Sequence, residues 1–106
     1  MRESVVEAYL HKQVVAAGGW TDKFVSPGRP NVPDRIVTWP GELVRRTCGR
    51  PPIRLQATTH YIECKAPGKK ANAAQARDHK RREAMGCTVL VLDTKELVDM
   101  YVEGWK

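Results

Sequence analysis

The residues best suited to chemistry lie in Tyr61-Ile62-Glu63-Cys64-Lys65, with Val32-Pro33-Asp34-Arg35-Ile36-Val37 upstream of them. Successive side chains of a strand point to opposite faces, so Glu63 and Lys65 project together while Cys64 points away. A carboxylate then stands beside an ammonium. If Asp34, which opens a second β-branched run, lies next to them, two acids can hold a hard cation such as Mg2+ or Mn2+ while the lysine faces the reacting group. Mg2+ keeps several of its own waters, so Asp34, Glu63 and the backbone carbonyl of Cys64 are sufficient protein ligands. Such a site suits phosphodiester cleavage, with Lys65 orienting or activating the attacking water. The plainer reading of Glu63 and Lys65 is a charged ladder on an exposed strand.

These residues need elements to position them. Val6, Leu10 and Val14 recur at helical spacing, which predicts a helix from Glu3 or Ser4 up to Gly18-Gly19. Trp20 to Val25 reads as a short strand, the three prolines between Ser26 and Pro33 exclude regular structure, and Asp34 to Trp39 reads as the second strand. Pro40 to Gln56 is either a strand pair with a long tip or a loop. Ala57 to Lys65 reads as the third strand, ended by Pro67-Gly68. Asn72 can cap a helix running to about Met85, with Gly86 as its stop. The apolar run Thr88 to Leu92 predicts a central strand covered on both faces, and Thr94 can cap a last helix containing Leu97, Val98 and Tyr101. This order predicts one α/β or α+β domain over residues 1–106, with a mixed β-sheet flanked by helices.

Several further residues have two readings. Glu7 borders the apolar stripe of the first helix; it can complete a second metal position or orient a water, or it can pair with His11 four residues on. Gln75 stands three residues after Asn72, the spacing of a capping box, yet the helix can also aim it at the attacking water or the scissile phosphate. Lys69, Lys70, Arg77, Lys80, Arg81 and Arg82 outnumber Asp78 and Glu83. A charged helix is usually a solvated face, but this one carries a thin alanine stripe and can track phosphates. Lys23, Arg29 and Arg35 add positive charge around the proline loop near Asp34.

The 106 residues carry a formal charge of +6, which favours a polyanionic partner such as DNA. A chain of this length buries roughly two-thirds of its unfolded surface. Cys48, Cys64 and Cys87 are too far apart for a zinc motif and read as reduced thiols. His11, His60 and His79 are equally scattered and read as surface or packing residues. Acids near the N-terminus stand where a signal peptide would be apolar, and no stretch is long enough to span a membrane, so the expected location is the cytoplasm.

Taken together, the chain resembles the VRR-NUC branch of the PD-(D/E)xK nucleases, above all its small stand-alone members from phages and prophages. The resemblance rests on Arg2-Glu3-Ser4, Gly18-Gly19, Lys23 to Gly28, Val32-Pro33-Asp34-Arg35-Ile36-Val37, Glu63 to Lys70, Gln75, and Gly86 to Asp93. It implies a restriction-endonuclease-like fold with Asp34 and Glu63 as metal ligands, Lys65 as the catalytic lysine, Glu7 as the acid of the first helix and Gln75 as the glutamine of the following helix. One departure is the longer segment from Glu42 to His60. The resemblance also implies a Mg2+- or Mn2+-dependent endodeoxyribonuclease, similar to Holliday-junction resolving enzymes, acting as a homodimer on branched DNA, and in a host cell's cytoplasm if phage-encoded. The expected DNA-binding residues are Lys23, Arg35, Lys69, Lys70, Arg77, Arg81 and Arg82. Two other functions fit the same sequence: a non-catalytic basic module that binds nucleic acid without metal, and a nuclease subunit that needs a partner.

Overall fold

A computed structural model describes residues 2–25, 28 and 32–106; Arg29 and most of the proline loop lie outside the described residues. Helix α1 (Glu3–Ala16) buries Val6, Leu10 and Val14, the stripe read from their spacing. It stops where Gly18 takes a φ of +99°, and Gly19 N–H then bonds the carbonyl of Val14. A left-handed residue after a helix closes its orphan carbonyls in this way, and glycine adopts that conformation without strain.

Strands β1 (Trp20–Lys23) and β2 (Arg35–Trp39) form an antiparallel pair. β2 continues into a separate hairpin, β3 (Leu43–Val44) and β4 (Ile53–Arg54), so the 40–56 segment takes the strand pair with a long tip. The chain returns as β5 (Thr58–Cys64), antiparallel to β2 with Arg35 opposite Ile62. Helix α2 (Ala73–Ala84) follows, capped by Asn72 and ended by Gly86 at φ +94°. β6 (Thr88–Leu92) then pairs parallel with β5, and α3 (Lys95–Glu103) starts at Thr94, whose hydroxyl accepts from Leu97 N–H. The fold is α/β, a mixed four-stranded sheet in the order β1-β2-β5-β6 with helices against it.

The position of β6 corrects the reading of its sequence. It is an edge strand, not a central one, and Val91 is 37% exposed. A parallel pair needs a crossover, here α2, which lays β6 beside β5 at the end of the order β1-β2-β5-β6. The apolar run therefore reports helix cover over parts of the strand, not a place in the middle of the sheet.

Alternation along β5 divides the two faces. His60, Ile62 and Cys64 face the main core with Val37, Trp39 and Leu92, under α1 and α3. Tyr61 and Glu63 face α2, where the Arg82 guanidinium lies 4.8 Å from the Tyr61 ring and 5.2 Å from the Phe24 ring. On the core side Trp39 Nε1 donates to the Tyr101 oxygen at 2.9 Å, and the same hydroxyl shares a hydrogen bond with His60 Nδ1 at 2.6 Å. Burial pushes the Tyr101 hydroxyl up to about 12. Tyr101→Phe strands two buried polar atoms, and we expect it to lower unfolding free energy by about 1–3 kcal/mol in urea titrations. Unchanged stability would mean that water satisfies Trp39 and His60.

Among the described residues no helix is long and apolar enough to cross a membrane.

Candidate active site

The ladder between β2 and β5 brings Asp34 to Glu63. Arg35 lies opposite Ile62, so the next pair outward is Asp34 with Glu63. There the ladder ends, and the Asp34 carboxylate takes over the Cys64 N–H, with oxygens at 3.1 and 3.2 Å. A strand residue turns its N–H and C=O to the same side, so the carbonyl of Cys64 faces this end as well. Its thiol is on the other face, fully buried in the core, and burial pushes its pKa far up, as expected for a packing residue.

Glu3, at the first turn of α1, completes a group of three acids with Asp34 and Glu63, whose carboxylate oxygens lie within 4.8 Å of one another. Sequence reasoning passed over Glu3. The available signal was that it stands one helical turn before Glu7, on the same side of the helix. Glu7 pairs with Arg35 and Lys23 instead of His11: Arg35 Nε donates to its Oε1 at 2.8 Å and Lys23 Nζ lies 3.5 Å away, while His11 meets the Thr21 hydroxyl. The charge of Glu7 nevertheless reaches Asp34.

Electrostatics in this cluster are strained. Burial lifts Glu63 to about 7, the neighbouring Asp34 adds to the rise, and the Lys65 ammonium opposes it. Burial also lifts Asp34 to about 6, against the Cys64 N–H, with the charges of Glu7 and Glu3 adding to the rise. Glu63 is 3% exposed and its Oε1 has no hydrogen-bond partner. His79 Nε2, itself buried and without a hydrogen bond, lies 3.7 Å from that oxygen. Desolvation lowers the His79 pKa, which keeps the ring neutral. Sequence points to His79 only as a surface or packing residue; nothing in its local sequence indicates which strand residue α2 sets beneath it.

The remaining site residues divide by what holds them. Gln75 makes both bonds of the capping box with Asn72, each 2.9 Å, through its own N–H and its side-chain oxygen. Arg82 bonds Asp78 at 2.8 Å and packs between aromatic rings, and Arg35 is engaged by Glu7. Lys69, Lys70, Arg77 and Arg81 are exposed, as is Lys23 apart from its contact with Glu7.

A mixed sheet with helices on its faces and acids converging at one strand end defines a restriction-nuclease type of core. No family model matches the chain. It is 40% identical over 98 residues to the protein named "Putative nuclease p44" of Acyrthosiphon pisum secondary endosymbiont phage 1, across 92% of this chain and 88% of that one. A solved structure described as a VRR_NUC domain aligns over 98% of this chain and 97% of its own, with a TM-score of 0.75 and 25% identity. The chain belongs to the VRR-NUC nuclease family.

Proposed function

We propose that the protein is a divalent-metal-dependent DNA endonuclease in which Asp34 and Glu63, joined by Glu3 and the Cys64 carbonyl, hold the metal. The observation that carries this reading is the acid cluster: burial and the charge of Asp34 lift Glu63 to about 7, burial and the charges of Glu7 and Glu3 lift the half-buried Asp34 to about 6, and Glu63 Oε1 lacks any hydrogen bond. A buried carboxylate oxygen without a partner, set beside two further acids, fits a cation, and an all-oxygen donor set suits Mg2+ or Mn2+. When bound, such an ion polarises a phosphoryl oxygen and lowers the pKa of a water.

The chain's own residues supply the rest. Cys64 N–H fixes both oxygens of Asp34, so that carboxylate needs no reorganisation before reaction. Lys65, on the Glu63 face, stabilises negative charge developing on the phosphate. Glu7 holds Arg35 and Lys23 beside the acids, and Gln75, its oxygen engaged in the cap, contributes through its amide NH2. Lys69, Lys70, Arg77 and Arg81 meet backbone phosphates, with Lys23 near the site; Arg82 and Arg35 act mainly by positioning α2 and Glu7. The favoured substrate is branched DNA cut in the manner of a Holliday-junction resolving enzyme by a homodimer, whose two-fold axis sets two sites against two strands. A phage origin and action in the host cytoplasm complete the reading.

Thermal unfolding tests the metal site apart from cleavage. A carboxyl whose folded pKa is raised favours the fold fully below its unfolded value, and that contribution disappears as pH rises through the folded value. For Glu63 the window runs from 4.5 to about 7. Metal-free protein should therefore lose Tm across this window, and Mg2+ or Mn2+ should restore Tm more at pH 8 than at pH 5. Glu63→Gln should flatten both dependences. A Tm at pH 8 indifferent to millimolar metal would remove the metal site.

A further inference from the structure

The hairpin between β2 and β5 has no part in the acid site, yet it is built as a firm, basic projection. Residues 45–59 are exposed throughout, and β3 pairs with β4 apart from the main sheet. The radius of gyration is 15.7 Å and the extents are 54 × 28 × 22 Å, whereas a compact chain of this length has a radius of about 13 Å. The arm therefore stands away from the body. Its base is fixed by Leu55 N–H bonding Glu42 O at 2.9 Å and Arg54 Nη1 bonding Gly41 O at 3.0 Å; a side chain at Gly41 would run into the Leu55 carbonyl. Near the tip Arg46 Nε bonds Pro51 O at 2.9 Å, and Cys48 and Gly49 turn the chain at φ +64° and +72°.

Between Leu43 and Ile62 stand four arginines and no acid. Arg45, Arg46 and Arg50 line a hollow at the tip together with Thr47 and Cys48. Chain direction then decides where this charge lies. β2 runs away from Asp34 toward Trp39, and β5 returns from Thr58 to Glu63, so the arm leaves the end of the sheet opposite the acids. At about 3.4 Å per strand residue, β5 spans about 17 Å from Thr58 to Glu63 and the arm adds about 20 Å. With the arm extended along the strands the tip reaches about one helical turn of duplex, roughly 35 Å, from the acid cluster, within the 54 Å long axis of the molecule.

We propose that the hairpin arm is a second DNA contact, with Arg45, Arg46 and Arg50 gripping duplex phosphates about ten base pairs from the bond that is cut. Duplex is the occupant because the arm carries four arginines and no acid, a charge that phosphates complement. The position of the cut rests on the nuclease reading; the contact itself does not.

The test uses binding in EDTA to a 30-base-pair duplex, followed across salt, for wild type and for Arg45→Ala with Arg50→Ala. The arm predicts weaker binding and a log-log salt slope smaller in magnitude by about two, since each lost phosphate contact removes about 0.9. Cys48 is the exposed thiol, Cys64 being buried and Cys87 half-buried, so in a Cys87→Ser background a photo-crosslinker on Cys48 should attach about ten base pairs from the cut made in Mg2+. Crosslinks within a few base pairs of the cut, or unchanged affinity and slope in the double variant of a protein that cleaves, would overturn the arm contact and leave the nuclease reading standing. Absence of cleavage with the slope still reduced would do the reverse.

Discussion

Asp34→Ala and Lys65→Ala are each expected to lower DNA cleavage at least about a hundredfold, because in the proposed mechanism each removes a charge on which stabilisation of the transition state depends. The two fail for different reasons. Loss of Asp34 removes a proposed ligand and also frees the Cys64 N–H, so Asp34→Asn is the cleaner variant: an amide oxygen still accepts that bond while the charge is gone. Loss of Lys65 leaves the acids in place and removes the ammonium that opposes the rise in Glu63. Lys65→Ala should therefore keep metal-dependent thermal stabilisation, and Asp34→Asn should lose most of it. Cleavage near the wild-type rate by either folded variant would defeat the assignment of its residue.

The second large effect is expected at Glu3. Its carboxylate shares the cluster with Asp34 and Glu63, whereas Glu7 is tied to Arg35 and Lys23. Glu3→Gln should raise the Mg2+ concentration for half-maximal cleavage by about tenfold or more, within the range seen when a metal's surroundings are altered. Glu7→Gln should change this less and act through the placement of Arg35. The family pattern points to Glu7 as the acid of the first helix, so titration of both variants with Mg2+ decides between spacing and geometry. A larger metal requirement for Glu7→Gln than for Glu3→Gln would favour the pattern.

That contrast illustrates what the sequence reveals and why. The stripe Val6, Leu10 and Val14, the glycine stops and the caps at Asn72 and Thr94 are legible because each depends on contacts within a turn or two of chain. The facing of Glu63 and Lys65 follows from strand alternation alone. Asp34 against Glu63 needs the β2–β5 register, which sequence suggests only through the resemblance. Glu3, His79 and the edge position of β6 were not legible, since they depend on how α1 enters the sheet end, which residue α2 covers and which strand the crossover reaches. Arg82 shows the same limit: it reads as one cation in a basic run, yet Asp78, Phe24 and Tyr61 surround it.

The most direct measurement incubates purified protein with end-labelled duplex and four-way-junction DNA in Mg2+, in Mn2+ and in EDTA, beside Asp34→Asn at equal concentration. The account predicts cleavage with either metal, faster on the junction, and none in EDTA or by the variant. Cutting that persists in EDTA, or that Asp34→Asn performs at the wild-type rate, would contradict it.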